Sequence, residues 1–96
     1  MSIRSTRKIK KALRKKGFVE VEGGKHIRFL LKLDGLLQPV ATIISRGSSY
    51  KEYGGRLFND MAKQLHLSNQ ELEQFVDCPL TMEQYLALLR ERGHIQ

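Results

Sequence analysis

Two turn dipeptides, Gly23-Gly24 and Asp34-Gly35, constrain the fold of this chain more than any other feature. Both favour tight hairpins, and the residues between them alternate between two sets. One set is apolar and consists of Ile27, Phe29, Leu31 and Leu33. The other set is mostly basic and consists of His26, Arg28, Leu30 and Lys32. Because successive side chains of a strand point to opposite faces, this pattern predicts a strand with one buried face and one open face.

Shorter strand-like segments flank this central strand. Residues 18–22 also alternate, and residues 40–44 are rich in β-branched side chains, which favour strands. Pro39 is expected at the start of the third strand, where its missing N–H does least harm. The chain is therefore predicted to form three antiparallel strands, with helices covering the apolar face of the middle one.

Helices are expected on both sides of the strands. Ser5 or Thr6 is placed to cap a first helix that runs to about Lys16, and Gly17 suits the position after a helix end. The apolar side chains of this helix form one narrow stripe, made of Ile9, Ala12 and Leu13. The rest of the helix surface is basic.

A second long helix is predicted from about Gly55 to Leu67, after a polar loop over residues 45–55. Every fourth residue of this helix is apolar and is assigned to the core: Leu57, Met61 and Leu65. Two capping boxes, at residues 68–71 and 81–84, predict two short helices after it. This order predicts an α+β two-layer sandwich with the helices on one face of the sheet.

Charge is distributed unevenly along the chain. Residues 1–56 hold 14 Lys/Arg and 4 Asp/Glu (+10), and residues 57–96 hold 3 and 6 (−3). A basic half joined to a mildly acidic half indicates a surface for a polyanion. Seven Lys/Arg lie within residues 7–16, and we favour phosphate contact over a merely solvated helix face as their role. The narrow apolar stripe, without Trp or Phe, argues against a membrane surface as the partner.

Length and composition favour one domain in a reducing compartment. The 96 residues suffice for a single thin core. The single cysteine, Cys78, forms no internal disulfide, and no stretch approaches the roughly 20 apolar residues of a membrane span. The first residues lack the apolar core of a signal peptide. We therefore expect a cytoplasmic protein with no membrane partner.

His26 is the sharpest candidate for chemistry, because it follows two glycines and a lysine at the start of a strand. A metal-independent ribonuclease needs a base for the 2′-hydroxyl proton, an acid for the leaving 5′-oxygen and a cation for the phosphate. An imidazole with a pKa near ~6.5 suits the first two roles. Lys25, Arg28 and the first-helix lysines suit the third. The alternative is an ordinary surface histidine that only titrates.

The other candidate side chains carry weaker signals. His66 is expected near the end of the second long helix and His94 in a frayed tail, and we interpret both as structural or incidental. The loop around Arg46 is either a plain connection or a phosphate-binding loop, with Tyr50 and Tyr53 able to stack on bases. No pair of His, Cys or carboxylate side chains has metal-ligand spacing, so no metal or cofactor is expected.

Two segments of the chain resemble the HicA toxin family. Residues 11–18 read Lys-Ala-Leu-Arg-Lys-Lys-Gly-Phe, and residues 24–29 read Gly-Lys-His-Ile-Arg-Phe. Members of that family have a helix ending in Gly-Phe and a Gly-Ser-His-type segment that opens the second strand. On this resemblance His26 takes the position of the family histidine and Gly24 that of the glycine before it. Lys25 stands where the family usually has a small residue.

The resemblance implies a fold, an activity and a partner. The fold is the α-β-β-β-α arrangement of a double-stranded-RNA-binding domain (dsRBD-like), here with two short appended C-terminal helices. The activity is ribosome-independent mRNA cleavage by the histidine, and the partner is a HicB-type antitoxin that blocks the active surface. Residues 1–67 would form the HicA-like domain and residues 68–96 a helical extension packed on it.

These observations predict a HicA-like mRNA endoribonuclease that uses His26 as general acid/base, binds RNA, needs no metal or cofactor and is neutralised by an acidic HicB-like antitoxin. The expected phosphate-binding residues are Gly24, Lys25, Arg28, Lys8, Lys11, Lys15 and Arg46. Two alternatives stay open. One is a non-catalytic RNA- or DNA-binding module on the same fold, and the other is a protein-interaction domain that uses its C-terminal helices. The oligomeric state is left open.

Overall fold

Three long antiparallel strands lie between an N-terminal helix and three further helices. The computed structural model describes residues 3–24, 26–45, 52–77 and 79–96. The elements are β1 (Ile3–Ser5), α1 (Thr6–Lys15), β2 (Phe18–Gly23), β3 (His26–Leu33), β4 (Leu36–Ser45), β5 (Glu52–Gly54), α2 (Gly55–Gln64), α3 (Asn69–Asp77) and α4 (Met82–Glu91). The predicted α+β class with a three-stranded antiparallel sheet is confirmed. None of the described helices is long and apolar enough to span a bilayer.

β3 is the central strand of the sheet and pairs antiparallel with β2 and β4. Its buried side chains are Ile27, Phe29 and Leu31. Its exposed side chains are His26, Arg28 and Lys32. The alternation in the sequence therefore predicted both faces correctly, although Leu33 at the end of the apolar set is only partly buried.

The two hairpin turns follow glycine chemistry closely. Asp34 and Gly35 both have positive φ, 50° and 81°, as a tight two-residue hairpin turn of the predicted kind requires. Gly23 pairs with His26 and is the last residue of β2, so the first turn begins at Gly24, with φ 59°. This turn starts one residue later than the dipeptide Gly23-Gly24 suggested.

β4 is longer than predicted and contains Pro39 instead of starting at it. The strand begins at Leu36, and its pairing with β3 shifts register between Leu30 and Lys32, opposite Pro39. β4 is also an edge strand of the sheet. Because the regular ladder is interrupted there, the missing N–H of proline breaks no strand pair.

A second, two-stranded sheet was not predicted. β1 pairs antiparallel with β5, from Ile3↔Gly54 to Ser5↔Glu52. Residues 52–54 were predicted as loop, which is wrong. Strands of three residues are too short to show an alternating pattern. The two partners are also far apart along the chain, because β1 precedes the three strands of the main sheet and β5 follows them. Residues 46–51 of the predicted loop lie outside the described residues.

Helix starts follow the capping signals in the sequence. Ser5 is the N-cap of α1. At α3 the Ser68 hydroxyl accepts from the Glu71 N–H (3.1 Å) and the Glu71 carboxylate accepts from the Ser68 N–H (2.8 Å). The same reciprocal pair joins Thr81 and Gln84 at α4 (3.1 and 2.9 Å). Both predicted capping boxes are confirmed.

One apolar core joins the sheet to all four described helices. Its largest fully buried side chains are Ile9, Leu13, Phe29, Leu31, Ile44, Phe58, Met61, Leu65, Leu72, Phe75, Tyr85 and Leu89. The prediction that Leu57 belongs to the core is wrong, since its side chain is 41% exposed and the buried face of α2 is centred on Phe58 and Met61. The helices therefore cover the face of the sheet that carries Phe29 and leave the other face open.

Three aromatic rings occupy the part of the core between β2, α3 and α4. The Phe75 ring packs edge-on against Tyr85 (centroids 5.0 Å apart) and Phe18 (6.2 Å). The Tyr85 hydroxyl donates to the Leu65 carbonyl oxygen (3.0 Å), which satisfies its polar end. The Lys16 Nζ lies 4.8 Å from the Phe75 centroid, and this lysine is only 3% exposed. Lys16 therefore belongs to the core and not to the solvated basic surface where it was predicted.

Candidate functional site

The uncovered face of the sheet, called the open face below, carries side chains arranged in rows across the three strands. The rows are Gly23–His26, Val21–Arg28–Ile43 and Val19–Leu30–Ala41, with Lys32 beyond them. None of these described residues is acidic. The open face therefore combines the imidazole and two cations of β3 with apolar side chains from its neighbours.

A shallow depression of about 300 Å³ lies at the end of the open face, beside the β2–β3 turn. Its lining residues are Val21, Glu22, Gly23, His26, Arg28 and Ile43. His26 and Arg28 are exposed and stand two residues apart on one strand face, a separation of about 7 Å along the strand. Glu22 belongs by alternation to the opposite face of β2. An anion entering the depression therefore meets an imidazole and a guanidinium, with the Glu22 carboxylate also among the lining groups.

The glycine turn leaves the approach to this depression open. A methyl group added at Gly23 or Gly24 would meet no heavy atom within 4 Å. Backbone without side chains lets a phosphate come close to N–H groups. Two predicted phosphate ligands, Lys25 and Arg46, lie outside the described residues and stay predictions.

The first-helix lysines lie on the other side of the sheet from His26. α1 buries Ile9, Ala12 and Leu13 in the core, so the helix packs on the covered face. Three exposed cations at four-residue spacing, Arg7, Lys11 and Lys15, form what we call the basic ridge. The fold therefore does not bring the predicted phosphate ligands Lys11 and Lys15 together with His26 and Arg28.

Other cations of this helix are engaged in ion pairs. Lys8 Nζ lies 3.0 Å from Asp77, whose carboxylate also accepts two hydrogen bonds of 2.8 Å from the Arg4 guanidinium. The bonds from Arg4, supported by Lys8, lower the pKa of Asp77 to about 2. Arg14 pairs with Glu20. Lys8, predicted as a phosphate ligand, thus helps to hold α3 against α1, whereas no ion pair among the described residues involves the basic ridge.

Sequence reasoning missed Glu22 of the depression and also its two apolar lining residues, Val21 and Ile43. Both are β-branched strand residues, and both are unusually exposed for apolar side chains, at 45% and 43%. They were grouped with the strand-forming residues and given no role. The register of the strands could have identified these two residues, because the pairing places both of them in the same row as Arg28.

The other two histidines, His66 and His94, lie far from this depression in sequence and contact each other near the C-terminus. The rings of His66 and His94 stack with centroids 3.5 Å apart and planes 13° from parallel. Arg92 binds the Glu71 carboxylate through both terminal nitrogens and donates to the His66 carbonyl oxygen (2.7 Å). Burial, and then the proximity of His94, lower the pKa of His66. Both histidines were interpreted as structural or incidental, and the stacking brings the residue that follows α2 against the C-terminal residues.

The free energy of unfolding is expected to fall as the pH is lowered from about 7.5 to about 5.5. The folded state holds His66 at a lowered pKa, so the unfolded chain, with a histidine pKa near ~6.5, binds more protons in this range. The stability is therefore complete above about pH 6.5 and is lost as the pH falls toward the lowered pKa. Urea unfolding at three pH values measures the slope of the free energy of unfolding against pH.

The matched control for this prediction is His94→Phe, which keeps an aromatic ring against His66 but carries no charge. Its slope is expected to be shallower than that of the wild type. A wild-type stability that is flat or rises on acidification would contradict the prediction.

Comparison with protein-family models, with curated proteins and with solved structures finds no match to this chain. Among the described residues, no group of three or more His, Cys, Asp or Glu side chains could hold a metal ion.

Proposed function

We propose that this chain is a HicA-like RNA endoribonuclease whose active site is the depression on the open face. The observation that carries the proposal is the placement of His26 beside Arg28 in an open depression next to a glycine turn. The order α1, β2, β3, β4, α2 is also the α-β-β-β-α order of the dsRBD-like fold that the resemblance implies. The proposed setting is the cytoplasm.

In the proposed reaction His26 accepts the proton of an RNA 2′-hydroxyl. The 2′-oxygen forms a bond to phosphorus while the bond to the 5′-oxygen breaks, which leaves a 2′,3′-cyclic phosphate and a 5′-hydroxyl. The imidazolium of His26 returns the proton to the departing 5′-oxygen. The Arg28 guanidinium stabilises the charge that develops on the non-bridging oxygens.

The remaining predicted ligands act outside the bond that breaks. Gly24 gives the phosphate access to backbone N–H groups, and Lys25 and Arg46 supply further positive charge. The basic ridge binds phosphates of the RNA away from the cleavage point and steers the polyanion to the protein. The proposed antitoxin is an acidic protein that covers the open face, where the imidazole of His26 and the cations Arg28 and Lys32 are exposed.

The test of the proposed function is cleavage of RNA by wild type and His26→Ala. Wild type is expected to arrest growth on expression and to shorten mRNA. His26→Ala is expected to lose at least about 100-fold of the cleavage rate, the usual contribution of a general acid/base. Lys32→Ala is the matched control, because Lys32 is exposed on the same strand face but does not line the depression.

Equal growth arrest by wild type and His26→Ala would remove His26 from the reaction.

The basic ridge favours a second candidate function, a nucleic-acid-binding module without cleavage, because its three cations are exposed without ion pairs among the described residues. That function predicts salt-dependent RNA binding by wild type and His26→Ala alike, with the RNA left intact.

A further inference from the structure

The geometry points to Val21 and Ile43 as the walls of a subsite for one unpaired nucleobase beside His26, an inference that rests on the proposed function. Both side chains line the depression, and they flank Arg28 in a single row across the three strands. Their exposures of 45% and 43% leave apolar surface uncovered next to a guanidinium. Neither side chain belongs to the core.

A ligand that binds this row has to match both the apolar side chains and the guanidinium. A flat ring system covers two β-branched walls, and a guanidinium stacks on such a ring or binds an attached phosphate. Along β3 the same face also carries His26 and Lys32, and Glu22 is the one acid among the described residues that line the depression. A nucleotide unites an apolar ring with negative charge, so it satisfies the walls and the cations together.

The spacing of the rows places this base next to the proposed chemistry. Adjacent rows on one face of a strand lie about 7 Å apart. A base held between Val21 and Ile43 therefore leaves its adjoining phosphate and ribose at the row of His26. Bases inside a duplex are stacked and paired and do not reach such a depression, so the substrate is single-stranded RNA.

The test measures RNA affinity on a His26→Ala background, in which the RNA stays intact. The double variant Val21→Ala/Ile43→Ala removes the walls without changing charge. Its matched control is Leu36→Ala/Leu37→Ala, which removes two even more exposed side chains (68% and 59%) that do not line the depression. Fluorescence anisotropy follows three labelled probes of equal length: single-stranded RNA, the same strand in a duplex, and an abasic ribose-phosphate strand.

The Kd for single-stranded RNA is expected to rise about fivefold in Val21→Ala/Ile43→Ala, the low end for loss of a base-stacking contact, and to stay unchanged in the control. The abasic strand is expected to bind both double variants equally, because it carries the charge without the bases. If the His26→Ala chain with Val21 and Ile43 intact binds the duplex as tightly as the single strand, the requirement for an unpaired base is overturned.

The failure of this inference differs from failure of the proposed function. If neither double variant loses affinity for single-stranded RNA, or if both lose it equally, the subsite is overturned. Cleavage by the chain that retains His26 then leaves the proposed function standing. If the wild type neither binds nor cleaves RNA, the proposed function fails and the subsite fails with it.

Discussion

A chain that ends at Leu67 is expected to be unfolded in water at 25 °C. Residues 68–96 supply a large part of the single core, namely the buried side chains of Leu72, Phe75, Val76, Tyr85, Leu89 and Ile95. Burial of a large apolar side chain contributes about 1.5–3 kcal/mol, so the five of these side chains other than Tyr85 contribute about 8–15 kcal/mol. That amount is comparable with the whole stability of a small domain, about 5–15 kcal/mol.

Circular dichroism and amide NMR dispersion measure this outcome directly. A chain that ends at Ile95 is the control, because it lacks only the exposed Gln96 and should keep the wild-type spectrum. A cooperative thermal transition in the chain that ends at Leu67 would show that residues 1–67 fold alone. If the expected result holds, deletion of residues 68–96 cannot test whether the C-terminal helices bind a protein partner. Substitutions at exposed positions such as Gln74 and Glu83 are then the appropriate test.

Phe75→Ala is expected to lower the free energy of unfolding by about 3–5 kcal/mol. The ring is fully buried and contacts Phe18, Tyr85 and the ammonium of Lys16. Its removal opens a cavity and takes from a buried cation the aromatic face that stabilises it. For a domain of this size the loss corresponds to a fall in Tm of about 15–30 °C. Urea unfolding at neutral pH measures it.

Two further variants separate the cost of the cavity from the loss of the contact between the ring and the Lys16 ammonium. Phe75→Leu keeps most of the apolar volume and is expected to lose much less stability than Phe75→Ala. A double-mutant cycle of Phe75→Ala with Lys16→Met isolates the interaction of the ring with the ammonium, expected at about 0.5–2 kcal/mol. A loss below about 1 kcal/mol for Phe75→Ala would be incompatible with the packing described here.

Local signals predicted most of the fold. The turn at Asp34-Gly35, the two faces of β3 and both capping boxes depend on residues close together in the chain, and all are present in the structure. The β1–β5 pair was missed because its register depends on residues about 50 positions apart. The exposure of Leu57 and the burial of Lys16 were missed for a related reason. Helical spacing identifies a stripe, but the neighbouring elements decide which residues at its margin are covered.

The candidate site was predicted in part. Alternation along β3 was enough to place His26 and Arg28 on the open face together. It could not place the basic helix, because charge along a sequence does not say on which side of a sheet a helix packs. Val21 and Ile43 were missed because their position depends on the pairing of three strands, which is set by where each hairpin turns.

The separation of the two faces of the sheet has a consequence for how this protein can diverge. Stability resides on the side where the four helices pack, and the side chains of the open face that protrude most contribute little to it. Substitutions at such exposed positions usually change stability by no more than about 0.5 kcal/mol. Descendants of this chain can therefore exchange one ligand preference for another by single steps, each of which leaves the scaffold folded.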